Sequence, residues 1–199
     1  MNNIAIFASG SGTNAENIIN YFKNREDVCV KSIFCNNPKA FVIERGKRGG
    51  VPTFLFSKSD LNNIQDNILL AELKRLDIDY IILAGFLLKI PSQFVELYPA
   101  KIINIHPALL PNYGGKGMYG MNVHEAVIAA KEPKSGITIH VVDEQYDHGK
   151  NIFQAECIID KEDTPDDLAA KIHTLEQENF PRVIDEYIKD ELCGKPFTV

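Results

Sequence analysis

The chain predicts an α/β fold: an open, mostly parallel, Rossmann-like twisted sheet with helices on both faces and an antiparallel edge at its C-terminal end. Three observations carry that expectation. Short strand-like and helix-like segments alternate along most of the chain, the pattern of a parallel sheet built from crossovers. Strand segments such as Tyr80–Ala84 are near-continuous apolar runs, which suits strands covered on both faces. A glycine-rich turn, Ser9-Gly10-Ser11-Gly12-Thr13-Asn14, joins the first strand to the first helix.

The elements follow in order. Asn3–Ser9 reads as a buried strand and Asn14–Asn24 as an amphipathic helix. Cys29–Cys35 is a second strand, ended by the turn-forming Asn36-Asn37-Pro38. A short helix over Ala40–Arg48 and the pair Gly49-Gly50 lead to a strand at Val51–Phe56. Ser59 or Asp60 is placed to cap one long helix ending near Leu76. Tyr80–Ala84, a short helix at Pro91–Leu97 and a strand at Lys101–Ile105 come next, then a helix beginning near Asn122. Ser135–Asp143 and Asn151–Ile159 are separated by only a short loop, so they pair antiparallel. Thr164 caps the last long helix, which Pro181 is expected to kink or break before Ile188. No repeat, linker or low-complexity segment interrupts the chain, and residues 1–199 read as one domain.

Bulk properties exclude several classes. Hydrophobic residues make up 45% of the 199, charged residues 24%, and the net charge is −6. An acidic chain of this kind disfavours nucleic acid and anionic membranes as partners. It carries no membrane-length apolar run and no leader pattern at Met1-Asn2-Asn3, so a cytoplasmic location is expected. Cys29, Cys35, Cys157 and Cys193 form no Cys-x-x-Cys pair, which fits reduced, buried thiols better than disulfides or a zinc site.

The most informative stretch is Ile102-Ile103-Asn104-Ile105-His106-Pro107-Ala108-Leu109-Leu110-Pro111. Pro107 forbids the strand to continue, leaving Asn104 and His106 two residues apart on one face at its carboxyl end. Ligands of open α/β sheets bind outside that end. An amide donor beside a titratable imidazole suits stabilising an oxyanion while a proton moves. Asp147, in the loop after the strand Gly136–Val142, is one carboxylate able to reach His106 and raise its pKa, and Asp143 and Glu144 compete for the job. His140, in mid-strand, reads as a supporting core histidine. The Gly10–Asn14 turn offers helix N-terminal N–H groups to a phosphate monoester. It lacks the third glycine and the second-strand acid of a dinucleotide fingerprint, and the Gly-Lys-Ser/Thr of a P-loop. A structural turn capped by Thr13 explains the same residues equally well.

Taken together, Gly10-Ser11-Gly12-Thr13-Asn14, Leu83-Ala84-Gly85-Phe86, Asn104 through Pro111, Gly136-Ile137-Thr138-Ile139-His140, and Asp147 with Gly149 resemble the phosphoribosylglycinamide formyltransferase family of folate enzymes. The resemblance covers nearly the whole chain. It implies formyl transfer from 10-formyltetrahydrofolate, a co-substrate, to the amine of glycinamide ribonucleotide in purine synthesis, with no metal. It also implies small-molecule substrates only, in a cytoplasmic monomer or weak homodimer. The N-terminal half would then bind the nucleotide, and the C-terminal half would bind folate and carry catalysis. By the same resemblance, Asn104, His106 and Asp147 are the catalytic trio, with His106 protonated. Gly10, Ser11, Gly12, Thr13, Asn14 and Glu176 hold the nucleotide, while Phe86, Leu87, Leu88, Lys89 and Ile90, with Asn104, Val141 and Val142, line the folate site. Three features depart from the family pattern. Leu88 stands where many members carry arginine. The Tyr113–Asn122 loop is longer and richer in glycine, which shifts the alignment of His124. His148 follows Asp147 where a small residue is usual. The short acidic chain fits this branch better than a tRNA or sugar-nucleotide formyltransferase or a deformylase. A non-catalytic binder would not need the trio, and a dehydrogenase would need the full fingerprint.

Overall fold

The computed structural model describes residues 1–193, so Cys193 closes the described chain and residues 194–199 lie outside it. Seven strands form one mostly parallel sheet in the order β3-β2-β1-β4-β5-β6-β7, with helices around it. The chain divides into two compact units, Met1–Ile103 and Asn104–Val199.

In the first unit, β1 (Asn2–Ala8) pairs in parallel with β2 (Val28–Cys35) and β4 (Tyr80–Leu83), and β2 pairs in parallel with β3 (Thr53–Leu55). Ile4 through Ala8 are wholly buried, as the apolar run required. Phe7 lies at the centre of the ring packing, stacked on Phe34 with centroids 4.9 Å apart and meeting Phe86 edge-on at 5.4 Å. Helices α1 (Thr13–Phe22) and α2 (Val42–Gly49) follow β1 and β2, and Gly50, at φ +73°, ends α2. The single long helix expected up to Leu76 is two helices, α3 (Lys58–Asn62) and α4 (Ile68–Arg75). Ser57, not Ser59 or Asp60, caps α3, with Asp60 returning the bond from the third helical position. The break comes from asparagines. Asn63 Oδ1 accepts from the N–H groups of Gln65 and Asp66, and Asn67 Oδ1 caps α4 through Leu69 and Leu70. A short helix, α5 (Ser92–Leu97), precedes β5 (Ile102–His106).

The second unit holds α6 (Met121–Ala129), β6 (Lys134–Val141), β7 (Asn151–Ile158) and α7 (Pro165–Cys193). β6 and β7 pair antiparallel, as the short loop required. Thr164 and Asp167 cap α7 reciprocally. The expected break at Pro181 does not occur, and α7 runs through it. Phe180, Val183 and Ile184 are buried around the proline, so packing outweighs the one lost helical bond.

One buried hydroxyl shapes the chain after β5. Thr138 Oγ1, on β6, donates to Ala108 O (2.7 Å) and accepts from Leu110 N (2.9 Å) and Gln154 Nε2 (2.8 Å), using all its hydrogen-bonding capacity. Thr138→Val keeps the shape but leaves the Leu110 N–H and Ala108 C=O without that partner. We expect roughly 2–5 kcal/mol of lost stability in urea unfolding. A loss under about 1 kcal/mol would show that the network matters little.

Candidate active site

Strand geometry places Asn104 and His106 on one face of β5, as the two-residue spacing required. His106 is 3% exposed and His140, at the end of β6, 2%. Asp147 sits in the β6–β7 loop in the left-handed region, at φ +53°. The loop returns tightly there, since a Cβ at Gly149 would run into the Val141 carbonyl.

These four side chains meet. His140 Nδ1 lies 2.9 Å from Val141 O, a carbonyl that can only accept, so Nδ1 carries a proton. In neutral His140, Nε2 is then the acceptor for Asn104 Nδ2 at 3.0 Å. Asp147 Oδ1 is 3.7 Å from His140 Nε2, and its Oδ2 is 3.6 Å from His106 Nδ1. Oδ2 also accepts from the Gly115 N–H at 2.8 Å. His106 Nε2 is 2.8 Å from Tyr113 O and so carries a proton by the same reasoning. Of the competing carboxylates, Asp143 instead pairs with the exposed His148 (3.3 Å); Glu144 is exposed in the same loop. The structure therefore gathers Asn104, His106, His140 and Asp147, and gives His140 more contacts than a core histidine needs.

The electrostatics correct one expectation. Burial pushes the His106 pKa down, and neither the Asp147 charge nor the Tyr113 carbonyl, which both push it up, reverses the shift; the charge on His140 adds to the lowering. The imidazole is thus neutral at neutral pH rather than held as imidazolium. For Asp147, burial raises the pKa, but His140, His106 and the Gly115 N–H together outweigh it, so the carboxylate stays ionised well into acid. His124, whose alignment the longer loop shifts, lies on α6. It is 6% exposed, its Nδ1 has no hydrogen-bond partner among the described residues, and burial followed by the His106 charge lowers its pKa.

The sign for stability follows from these directions. His106 and His124 resist protonation in the folded state, so the unfolded chain binds more protons below the ordinary histidine value of 6.5. Asp147 adds the same trend below 3.8. Stability is therefore complete above about pH 6.5 and falls as pH drops. Melting temperature should begin to fall between about pH 7 and about pH 5, before most carboxylates titrate. A flat curve over that range would contradict the assignment.

The glycine turn belongs to the first unit. Gly12 caps α1 at φ +78° with no side-chain cap, so the alternative of a Thr13-capped structural turn is not what forms. Gly10 O accepts from Val42 N (3.2 Å), and Ser11 O accepts from Arg45 Nε (3.0 Å). In trans peptides a carbonyl opposes the next N–H, so the N–H groups of Ser11 and Gly12 face away from those donors. Arg45 also pairs with Glu16 and lies over the Phe41 ring at 5.1 Å. Sequence reasoning missed Arg45, which joins the turn across 34 residues and has no local signal. Asn14 is buried, while Ser11 is exposed and Thr13 half-buried.

The remaining expected residues fall as follows. Phe86 packs on Phe7 and Phe56, Leu87 is half exposed and donates its N–H to Ser9 Oγ (3.1 Å), Leu88 is half-buried, Lys89 is exposed and Ile90 is buried. Val141 and Val142, at the end of β6, are half-buried. Glu176, on α7, lies 3.6 Å from His173 Nδ1. Among the described residues no cluster of histidine, cysteine and carboxylate side chains is arranged to hold a metal ion, and no helix is long and apolar enough to cross a membrane.

Comparison with known proteins gives concordant matches. The profile of the formyl transferase family matches residues 2–184. Phosphoribosylglycinamide formyltransferase of Bacillus subtilis is 35% identical over 191 residues, covering 94% of this chain and 95% of that protein. The chloroplastic enzyme of that name from Vigna unguiculata is 34% identical over 96% of this chain, which spans 62% of its length. The crystal structure of glycinamide ribonucleotide transformylase 1 from Geobacillus kaustophilus superposes with a TM-score of 0.83 at 37% identity, over 92% of this chain and 96% of that one.

Proposed function

The chain belongs to the formyl transferase family, and on that premise we propose that it transfers the formyl group of 10-formyltetrahydrofolate to the amine of 5'-phosphoribosylglycinamide. The observation that carries this reading is the meeting of an amide, two imidazoles and an ionised carboxylate around Asp147. That donor set fits acyl transfer to an amine: donors for an oxygen that gains charge, and a base for a nitrogen that loses a proton.

The folate supplies the activated formyl carbon when bound. Asn104 has a second amide hydrogen beyond the one given to His140, and it donates that hydrogen to the formyl oxygen as charge develops there. His106 shares its Nε2–H between Tyr113 O and the same oxygen. Charge growing beside His106 favours the imidazolium, so the protonated form expected from the family is reached during reaction by uptake of one proton from water at Nδ1, and that proton is given back to water when the oxyanion collapses. Asp147 takes the proton that the attacking amine sheds as the new C–N bond forms. That proton returns to the folate nitrogen as the old C–N bond breaks, and Asp147 ends ionised. The Ser11 and Gly12 N–H groups take the nucleotide phosphate, with Glu176 as a further contact to the nucleotide. Phe86–Ile90, Val141 and Val142 take the folate. The protein acts as a cytoplasmic monomer or weak homodimer on small molecules.

The test is a formyl-transfer assay comparing glycinamide ribonucleotide, water and a sugar-nucleotide amine as acceptors. Turnover that requires the ribonucleotide supports the reading. Formate released without an amine would make the protein a deformylase, and transfer to the sugar nucleotide alone would move it to another branch.

A further inference from the structure

We propose that Tyr113 is a positioning residue for formyl transfer: its hydroxyl, anchored on Glu132, holds its main-chain carbonyl against His106 and sets which imidazole nitrogen carries the proton. This rests on the function proposed above. Tyr113 is an aromatic residue at φ +57°, a conformation such side chains adopt only when the surroundings enforce it. The enforcing contact is visible. Tyr113 Oη donates to Glu132 Oε1 at 2.7 Å, and Glu132 lies between α6 and β6 with its own N–H on Val127 O. The carbonyl so fixed takes the Nε2–H of His106 at 2.8 Å, which leaves Nδ1 as the lone pair facing Asp147 at 3.6 Å. Two residues on, the Gly115 N–H holds the opposite partner, Asp147 Oδ2. One short backbone segment thus clamps both members of the acid–base pair.

Without the carbonyl, the neutral ring is free to move its proton to Nδ1, between itself and Asp147, and to lose its donor toward the formyl oxygen. The groups that act electrostatically on His106 are Asp147 and the Tyr113 carbonyl, which favour its protonation, and His140, which opposes it; His106 in turn opposes protonation of His124. Loosening the Tyr113 carbonyl leaves burial less opposed.

The experiment uses the full chain with Tyr113→Phe, Glu132→Ala, the double variant and Glu132→Gln. With melting temperatures near wild type, each of the first two should lower kcat roughly three- to tenfold with KM unchanged. The acid limb of kcat/KM should move to lower pH. The double variant should lose no more than either single one, and Glu132→Gln, still an acceptor for the phenol, should keep wild-type kcat. Imidazole nitrogen spectra, which need no turnover, should show His106 protonated on Nε2 in the wild type and mixed in Tyr113→Phe. Unchanged kcat and spectra, additive losses in the double variant, or a change in KM alone would overturn the proposal. Should the wild type transfer formyl to no acceptor, the functional reading fails while the spectra still decide the tether.

Discussion

Asp147→Asn should lower kcat by roughly a thousandfold, within the hundred- to ten-thousandfold typical of a lost general base, with little change in substrate affinity. The amide is almost the same size and still offers an oxygen to the Gly115 N–H, which now bonds to Oδ2. The loop therefore has no steric reason to move. What disappears is a negative charge that burial disfavours and that His140, His106 and Gly115 together sustain. On the proposed mechanism, the amide neither takes a proton from the attacking amine nor stabilises His106 as it charges. Because the proposed mechanism gives one residue both tasks, the expected loss exceeds that of a single hydrogen bond. Steady-state kinetics with a fold check by melting temperature measures it; a fall of less than about tenfold would remove Asp147 from proton transfer.

Asn104→Ala should cost roughly a hundred- to a thousandfold in kcat, the usual loss for one oxyanion donor, while folate affinity holds. The contrast with affinity matters because Asn104 also donates to His140. If the residue only braced that histidine, ligand binding and the melting temperature would fall along with turnover. Asn104→Asp sharpens the distinction, since a carboxylate of similar shape presents charge of the wrong sign to the formyl oxygen. A rise in KM with kcat intact would reassign the residue to binding.

The strands and the trio's first two members are legible in the sequence because both depend on local periodicity. β5 alternates, Pro107 ends it, and two residues of spacing place Asn104 and His106 together without further information. The choice of Asp147 over Asp143 and Glu144 is not local. It depends on the left-handed turn at Asp147 and on Gly149 packing against a carbonyl of the previous strand. The direction of the His106 shift escapes sequence reasoning for the same reason: the carboxylate's pull is readable, whereas the burial that outweighs it comes from tertiary packing. In the α3–α4 break, the asparagine caps are present in the sequence but are masked by a continuous apolar pattern. Pro181 shows the reverse, a strong local breaker overruled by the buried residues around it.

The turn before α1 has a consequence for how this chain tolerates change. On the proposed function, an anion at this turn would be held by main-chain N–H groups that point away from the donors on Gly10 O and Ser11 O, so side-chain replacement at exposed Ser11 removes none of them. Sensitivity is concentrated at Gly12, where a Cβ would collide with Val42 and the backbone is left-handed as well. A saturation scan should therefore read as neutral at Gly10 and Ser11 and sharply sensitive at Gly12, with buried Asn14 sensitive for its packing instead. On that function, sequence drift is free to alter the exposed side chain at Ser11 while the main-chain donors stay in place.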